Sequence, residues 1–207
     1  DELKEKYIKT DEIPFDFNRR RMSVVVEDRS GKKQLITKGA VEEMLACCAF
    51  AELEGKVVPL GEAERRFVLG KSDELNAKGM RVLAVAQKAD PGEGVSVTDE
   101  SGMVLIGFLA FLDPPKPTAA ETIRTLKAYG ADVKILTGDN EKVTQCIAGQ
   151  VGLEVREVLL GSEMEEMTDE ELARKAEEIT VFAKLSPEQK ARIVRILRAN
   201  GHLVGYM

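Results

Sequence analysis

Thr137, Gly138 and Asp139 follow the aliphatic run Val133-Lys134-Ile135-Leu136 and precede Asn140. At the carboxyl end of a buried strand, such a segment can offer a hydroxyl, a glycine amide and a helix N-terminus to a phosphoryl oxygen. The Asp139 carboxylate could interact with Mg2+ or orient a water. The same residues can equally serve structure alone, with Asp139 or Asn140 capping the next helix and Gly138 making the turn. Lys190 lies in the first turn of a helix introduced by Ser186-Pro187, where a lysine opposes the helix dipole unless an anion sits nearby. Lys184, after Val181-Phe182-Ala183, is in a similar position. Both lysines also read as solvated surface residues. No G-x-x-x-x-G-K-[ST] loop and no G-x-G-x-x-G fingerprint is present, so a nucleotide would be held in another way.

Composition narrows the classes. The 207 residues are 43% apolar, enough for one core or two modest ones. Against 36 acidic side chains stand 30 basic ones, and the net charge of −6 argues against general nucleic-acid binding. Arg19-Arg20-Arg21 is the only dense basic cluster. The longest apolar run, Val104 to Leu112, is far short of the roughly 20 residues that span a bilayer, so no direct membrane insertion is expected. Cys47, Cys48 and Cys146 form no C-x-x-C pair and read as small buried apolar residues of a reducing compartment. With His202 the sole histidine, a zinc site or a Ser-His dyad is not expected. Both ends of the chain read as cut from something longer.

The elements that must position these residues fall into two halves. In the first, Met22–Glu27 and Gln34–Thr37 read as a hairpin turned at Ser30-Gly31. A helix from Ala40 to about Leu53 and another from Glu62 to Lys78 follow, then strand Arg81–Gln87, a loop from Ala89 to Gly102, and strand Met103–Leu112. Asp113-Pro114-Pro115-Lys116-Pro117 is a stiff connector, placing a domain boundary between residues 1–112 and 113–207. Beyond it helices and strands alternate: helix Thr118–Tyr129, strand Asp132–Leu136, helix Asn140–Val151, strand Val155–Leu160, a helix capped by Thr168 and Glu171, strand Thr180–Ala183, and helix Ser186–Asn200. His202–Met207 reads as a last strand. That alternation predicts a parallel sheet covered on both faces, and the whole an α/β protein.

Lys38-Gly39-Ala40, Asp113-Pro114-Pro115 and Thr137-Gly138-Asp139, in this order and at these separations, resemble the P-type cation-transporting ATPases. The resemblance covers essentially the whole chain. E-I-P-F-D-F-N-R-R-R-M-S-V-V-V, F-L-D-P-P-K, V-K-I-L-T-G-D and G-H-L-V-G-Y-M are most similar to the magnesium-importing branch. It implies a mixed α+β nucleotide-binding domain joined to part of a haloacid-dehalogenase-like, Rossmann-type phosphorylation domain. It also implies ATP and Mg2+ as cofactors and cation transport through an aspartyl-phosphate. The setting would be the cytoplasmic face of the cell membrane, with actuator and membrane domains of the same polypeptide as partners.

By the same resemblance, Phe15 stacks on adenine; Phe17, two residues further along an extended chain and so on the same side, competes for that role. Lys38 lies deep in the pocket, Gly39 lets the base approach, Arg81 reaches toward the phosphates, and Arg20 stands where related pumps often have lysine. Thr137 bonds the transferred phosphoryl group through its hydroxyl, beside Gly138 and the acidic Asp139. Lys190 neutralises the aspartyl-phosphate, Lys184 falls where many members carry arginine, and Asp113, Pro114 and Pro115 form the hinge. These 207 residues contain no D-K-T-G segment, and the main Mg2+ ligands are expected just after Met207, so the chain alone should not turn over. A calcium or proton pump is the nearest alternative. A haloacid-dehalogenase-type phosphatase would need a D-x-D pair, which is absent. An acidic interaction module that binds no nucleotide would not account for the three motifs together.

Overall fold

The computed structural model describes residues 5–206. Contacts group the residues up to Leu75 with Val82–Phe111, and separately Asn76–Arg81 with the residues from Leu112 onward. The first unit is built on a seven-stranded sheet in the order β1-β2-β3-β6-β7-β4-β5. Its strands are β1 (Tyr7–Asp16), β2 (Arg21–Asp28), β3 (Lys33–Gly39), β4 (Cys48–Leu53), β5 (Lys56–Pro59), β6 (Met80–Ala89) and β7 (Met103–Leu112). Strands β1, β2, β3 and β6 are antiparallel in succession, whereas β4 pairs parallel with β7.

Inward-facing alternation makes the core. Val25, Leu35, Ala84, Ala86, Met103 and Leu105 of the sheet pack with Met44 and Leu45 of α1 (Val41–Cys47) and Val68 of α2 (Glu62–Asn76). Burial pushes the Cys48 thiol up to about 12, and Cys47 is raised by the same desolvation, so both are neutral core residues.

The second unit holds a three-stranded parallel sheet, β8 (Ile135–Leu136), β10 (Val181–Ala183) and β9 (Val158–Leu160), with β10 central. Its helices are α3 (Ala119–Ala128), α4 (Glu141–Gln150), α5 (Gly161–Glu165), α6 (Asp169–Glu178) and α7 (Pro187–Ala199). Three helix starts follow local rules. Asn140 Oδ1 accepts from Val143 N, and Thr168 with Glu171 and Ser186 with Gln189 form capping boxes. Asp113-Pro114-Pro115 is irregular chain between β7 and α3, as a proline run requires.

Several elements differ from expectation. The helix expected over Ala40–Leu53 stops at Cys47, because Cys48 and Ala51 pair with Met103 and Leu105 of β7 and the chain continues as strand. Cys48 therefore starts a strand and does not share a helix with Cys47. Glu54 and Gly55 both have positive φ (51° and 75°), the backbone of a two-residue type I′ turn, and they return the chain as β5. β1 had no expected counterpart. Its exposed, mixed residues hide the alternation of an edge strand, and bulges after Lys9 and after Ile13 break the period. The expected strand over His202–Met207 is irregular through Tyr206, while Met207 lies outside the described residues. Leu203 and Tyr206 are fully exposed, so no packing rewards an extended conformation there.

Candidate nucleotide-binding face and phosphoryl-handling loops

The first unit gathers Phe15 and Lys38 on one open face of its sheet. Ile13 pairs with Ser23 and Asp16 with Arg21, so Pro14 and Phe15 together lie across from Met22 alone. Proline is tolerated there because β1 is an edge strand and a bulge needs no ladder hydrogen bond from it. Met22 pairs with Lys38 of β3, and Lys38 with Val85 of β6. Phe15, Met22, Lys38 and Val85 thus form a row across four strands. Two inter-strand steps of about 4.8 Å separate the Phe15 and Lys38 backbones by roughly 10 Å.

Phe15 is 51% exposed and Phe17 is 63% exposed, so neither is core. Their rings meet edge to face, 5.2 Å between centroids with planes at 86°. Lys38 is exposed, and its ammonium has no hydrogen-bond or ion-pair partner among the described residues. Gly39 faces the other way, into the core. A Cβ there would lie 2.5 Å from Arg21 Cβ and 2.7 Å from the Arg20 carbonyl oxygen, so this chain's own close packing requires glycine. Arg20 is in left-handed backbone (φ 48°), and its Nη1 lies 3.9 Å from Glu43 Oε1.

Beneath this face lies a cluster that sequence reasoning missed. The Glu100 side chain is fully buried. It accepts from Arg19 Nη1 (2.7 and 2.9 Å), Arg21 Nε (2.7 Å) and Ser23 Oγ (2.7 Å), and Ser23 in turn shares a hydrogen bond of 2.7 Å with Thr37 Oγ1. Burial alone would raise the Glu100 carboxyl, but the hydrogen bonds from Ser23, Arg21 and Arg19 outweigh it and hold the carboxyl below its ordinary value. A signal was present: Arg21 and Ser23 alternate with the outward Met22, and a charge at an inward strand position demands a buried partner. The Arg19-Arg20-Arg21 cluster is therefore mostly engaged within the protein.

The second unit interlocks two loops. Leu185 N donates to the Thr137 carbonyl at 3.0 Å and Lys184 N to the Asp139 carbonyl at 2.7 Å, joining the segment after β8 to the segment after β10. Thr137 Oγ1 donates to Asp139 Oδ2 at 3.0 Å and accepts from Asp139 N at 3.1 Å. Gly138 sits against the Leu185 carbonyl, 3.5 Å from where its Cβ would be. Lys184 has left-handed backbone (φ 54°), a conformation costly for a side-chain residue and common where a site constrains the chain. Lys190 is half-buried in the first turn of α7, and its ammonium has no partner among the described residues. Arg81, which contacts group with this unit, places Nη2 at 2.9 Å from Asp139 Oδ2 and Nη1 at 3.5 Å from Asp113 Oδ2.

The Lys184 turn is braced by Gln189, which the sequence marks as the N3 residue of a helix cap but not as a tertiary contact. Its Oε1 accepts from Ser186 N, and its Nε2 donates to the Gly161 carbonyl at 2.9 Å. A Cβ on Gly161 would fall 2.5 Å from Gln189 Oε1 and 2.6 Å from the Lys184 carbonyl oxygen. Gly161→Ala is accordingly expected to destabilise the second unit by about 1–3 kcal/mol, because backbone must move to admit the methyl group. Urea denaturation checks this, and an unchanged midpoint would show that the contact yields freely.

For Mg2+, one carboxylate is at hand. Asp139 Oδ2 already accepts from Thr137 and Arg81, and among the described residues no three His, Cys, Asp or Glu side chains converge on a metal position. These donors do not make a Mg2+ site by themselves. Among the described residues no helix is long and apolar enough to cross a membrane.

Comparison with known proteins agrees with the architecture. Residues 1–118 match the family model described as P-type ATPase, cytoplasmic domain N. The chain is 47% identical over 207 residues to the magnesium-transporting ATPase, P-type 1, of Escherichia coli (strain K12), covering 99% of this chain and 23% of that protein. The protein of the same name from Salmonella typhimurium (strain LT2) is 47% identical over 208 residues, covering 100% of this chain and 23% of its own length. Identity to the calcium-transporting ATPase lmo0841 of Listeria monocytogenes is 34% over 206 residues, covering 98% of this chain and 23% of that protein. The chain thus spans about a quarter of the length of these relatives. With the seven-stranded mixed sheet and the small parallel sheet in view, the chain belongs to the P-type ATPase family, with residues 1–118 matching its cytoplasmic domain N.

Proposed function

We propose that this chain binds ATP on the open face of its first unit and handles the transferred phosphoryl group with the Thr137–Asp139 and Lys184–Lys190 segments of its second. In the whole polypeptide these actions serve a pump that passes through an aspartyl-phosphate and moves Mg2+ across a membrane. The observation that carries the reading is the cross-strand row of Phe15, Met22 and Lys38 in a domain of this family. An exposed ring offers the base a stacking surface, and the Lys38 ammonium, without a partner among the described residues, offers positive charge on the same face. In the second unit the Thr137 hydroxyl and the Lys190 ammonium are the groups suited to a phosphoryl anion. Neither is a carboxylate nucleophile, so the chain alone binds ATP without hydrolysing it.

Magnesium as cargo is favoured over calcium by the higher identity, 47% against 34%, to relatives named for magnesium transport. The test begins with calorimetric titration of the chain with ATP. Saturable binding, weakened in Lys38→Ala with folding intact, is the expected outcome. Absence of heat up to millimolar ATP would overturn the nucleotide reading. For the cargo, the whole polypeptide in vesicles should move Mg2+ in an ATP-dependent manner, and Ca2+ movement in its place would reassign the ion.

A further inference from the structure

The bulge that carries Phe15 is held from below and from the side. Arg19 forks: Nη1 bonds both oxygens of the buried Glu100, while Nη2 donates to the Pro14 carbonyl at 2.8 Å, within the bulge itself. Asp16 Oδ1 accepts from Asn18 N (3.0 Å) and Arg19 N (2.8 Å), which tightens the turn leading out of β1. From the other side the Phe17 ring abuts that of Phe15, edge to face. Glu100 is further tied, through Ser23, to Thr37, the residue next to Lys38 on β3. One buried carboxylate is therefore linked to the chain on both sides of the candidate base site.

We propose that Arg19, anchored on Glu100, and Phe17 are positioning residues that preset the Phe15 ring for a purine base. Neither touches the phosphates in this scheme. Their contribution is to remove the cost of ordering an exposed ring and its bulge at the moment of binding. The inference rests on the reading of Phe15 as the base platform.

Two variants test it. Arg19→Lys keeps a positive charge near Glu100 but cannot reach both that carboxylate and the Pro14 carbonyl in a planar fork. Phe17→Leu removes the edge contact at an exposed position. Each is expected to lower ATP affinity about fivefold, the low end of what one base stack contributes. Affinity for inorganic tripolyphosphate, which has no base, should stay unchanged. Introduced into Phe15→Ala, neither variant should lower ATP affinity further, a coupling that general loosening of the fold would not produce. If folded Arg19→Lys and Phe17→Leu bind ATP as the parent does while Phe15→Ala binds weakly, the positioning inference is overturned and the base platform stands. Should Arg19→Lys not fold, the Phe17→Leu result decides. Unchanged binding in folded Phe15→Ala overturns the platform reading, and this inference with it.

Discussion

Replacing Glu100 with alanine is expected to cost about 3–5 kcal/mol of folding free energy, the range seen when one partner of a buried charge cluster is removed. The reason lies in what remains. Arg19 and Arg21 have side chains only 18% and 16% exposed, and without Glu100 both guanidinium groups lose their carboxylate while Ser23 loses an acceptor. Hydrating the arginines would mean opening the turn at 18–21 and the start of β2. Glu100→Gln should cost less, since an amide fills the space and retains one acceptor oxygen. Urea denaturation of the three proteins measures the difference, and a loss below about 1 kcal/mol for the alanine variant would show that water already screens the cluster.

The same cluster gives stability an acid limb. The folded Glu100 carboxyl is held below its ordinary value, so the unfolded chain binds the proton more readily. Its stabilisation is complete above the unfolded glutamate value, about 4.3, and is lost as pH falls through the lower folded value. In Glu100→Gln that part of the pH dependence should disappear.

Phe15→Ala has the second large expected effect, on binding and not on folding. Loss of one stacking surface should weaken ATP by about 5- to 150-fold. The 51% exposure of Phe15 excludes the cost of emptying a core position, so stability should change by no more than about 1 kcal/mol. ADP should weaken by a similar factor, because the base is common to both. Calorimetry beside a thermal melt separates the outcomes. Unchanged affinity in a folded variant would remove Phe15 from the site and make Phe17 the residue to replace.

The regular parts of the fold were legible because local chemistry and packing agree there. Asn140, Thr168 and Ser186 cap the helices that their types and spacing announce, and the Ser30-Gly31 turn closes the β2–β3 hairpin. Where tertiary pairing overrides local preference, reading failed. Val41 to Leu53 has a helical stripe in its first half, yet β7 claims Cys48 and Ala51 as a neighbouring strand. Of the candidate site, Thr137-Gly138-Asp139, Lys184 and Lys190 were visible from residue type and spacing, whereas Phe15 and Lys38 were visible only through the family resemblance. Glu100 was not, since nothing local distinguishes it from other acids in the loop, and its partners lie 77 to 81 residues away. Gln189 was visible as a cap but not as the brace between α5 and the Lys184 turn.

That separation bears on the order of folding. Strands β1, β2 and β3 pair with their immediate neighbours in sequence, and hairpins of this kind form in about 1–10 μs. Glu100 is not part of those hairpins and must close a long loop to reach them, a contact that loop entropy delays. During synthesis the roughly 60 residues between Gly39 and Glu100 take about 3–12 s to add at ordinary translation rates. In that interval the meander can pair while Arg19 and Arg21 stay hydrated and the bulge stays slack. The final shape of the open face is thereby a late product of folding, set by a residue outside the strands that form it.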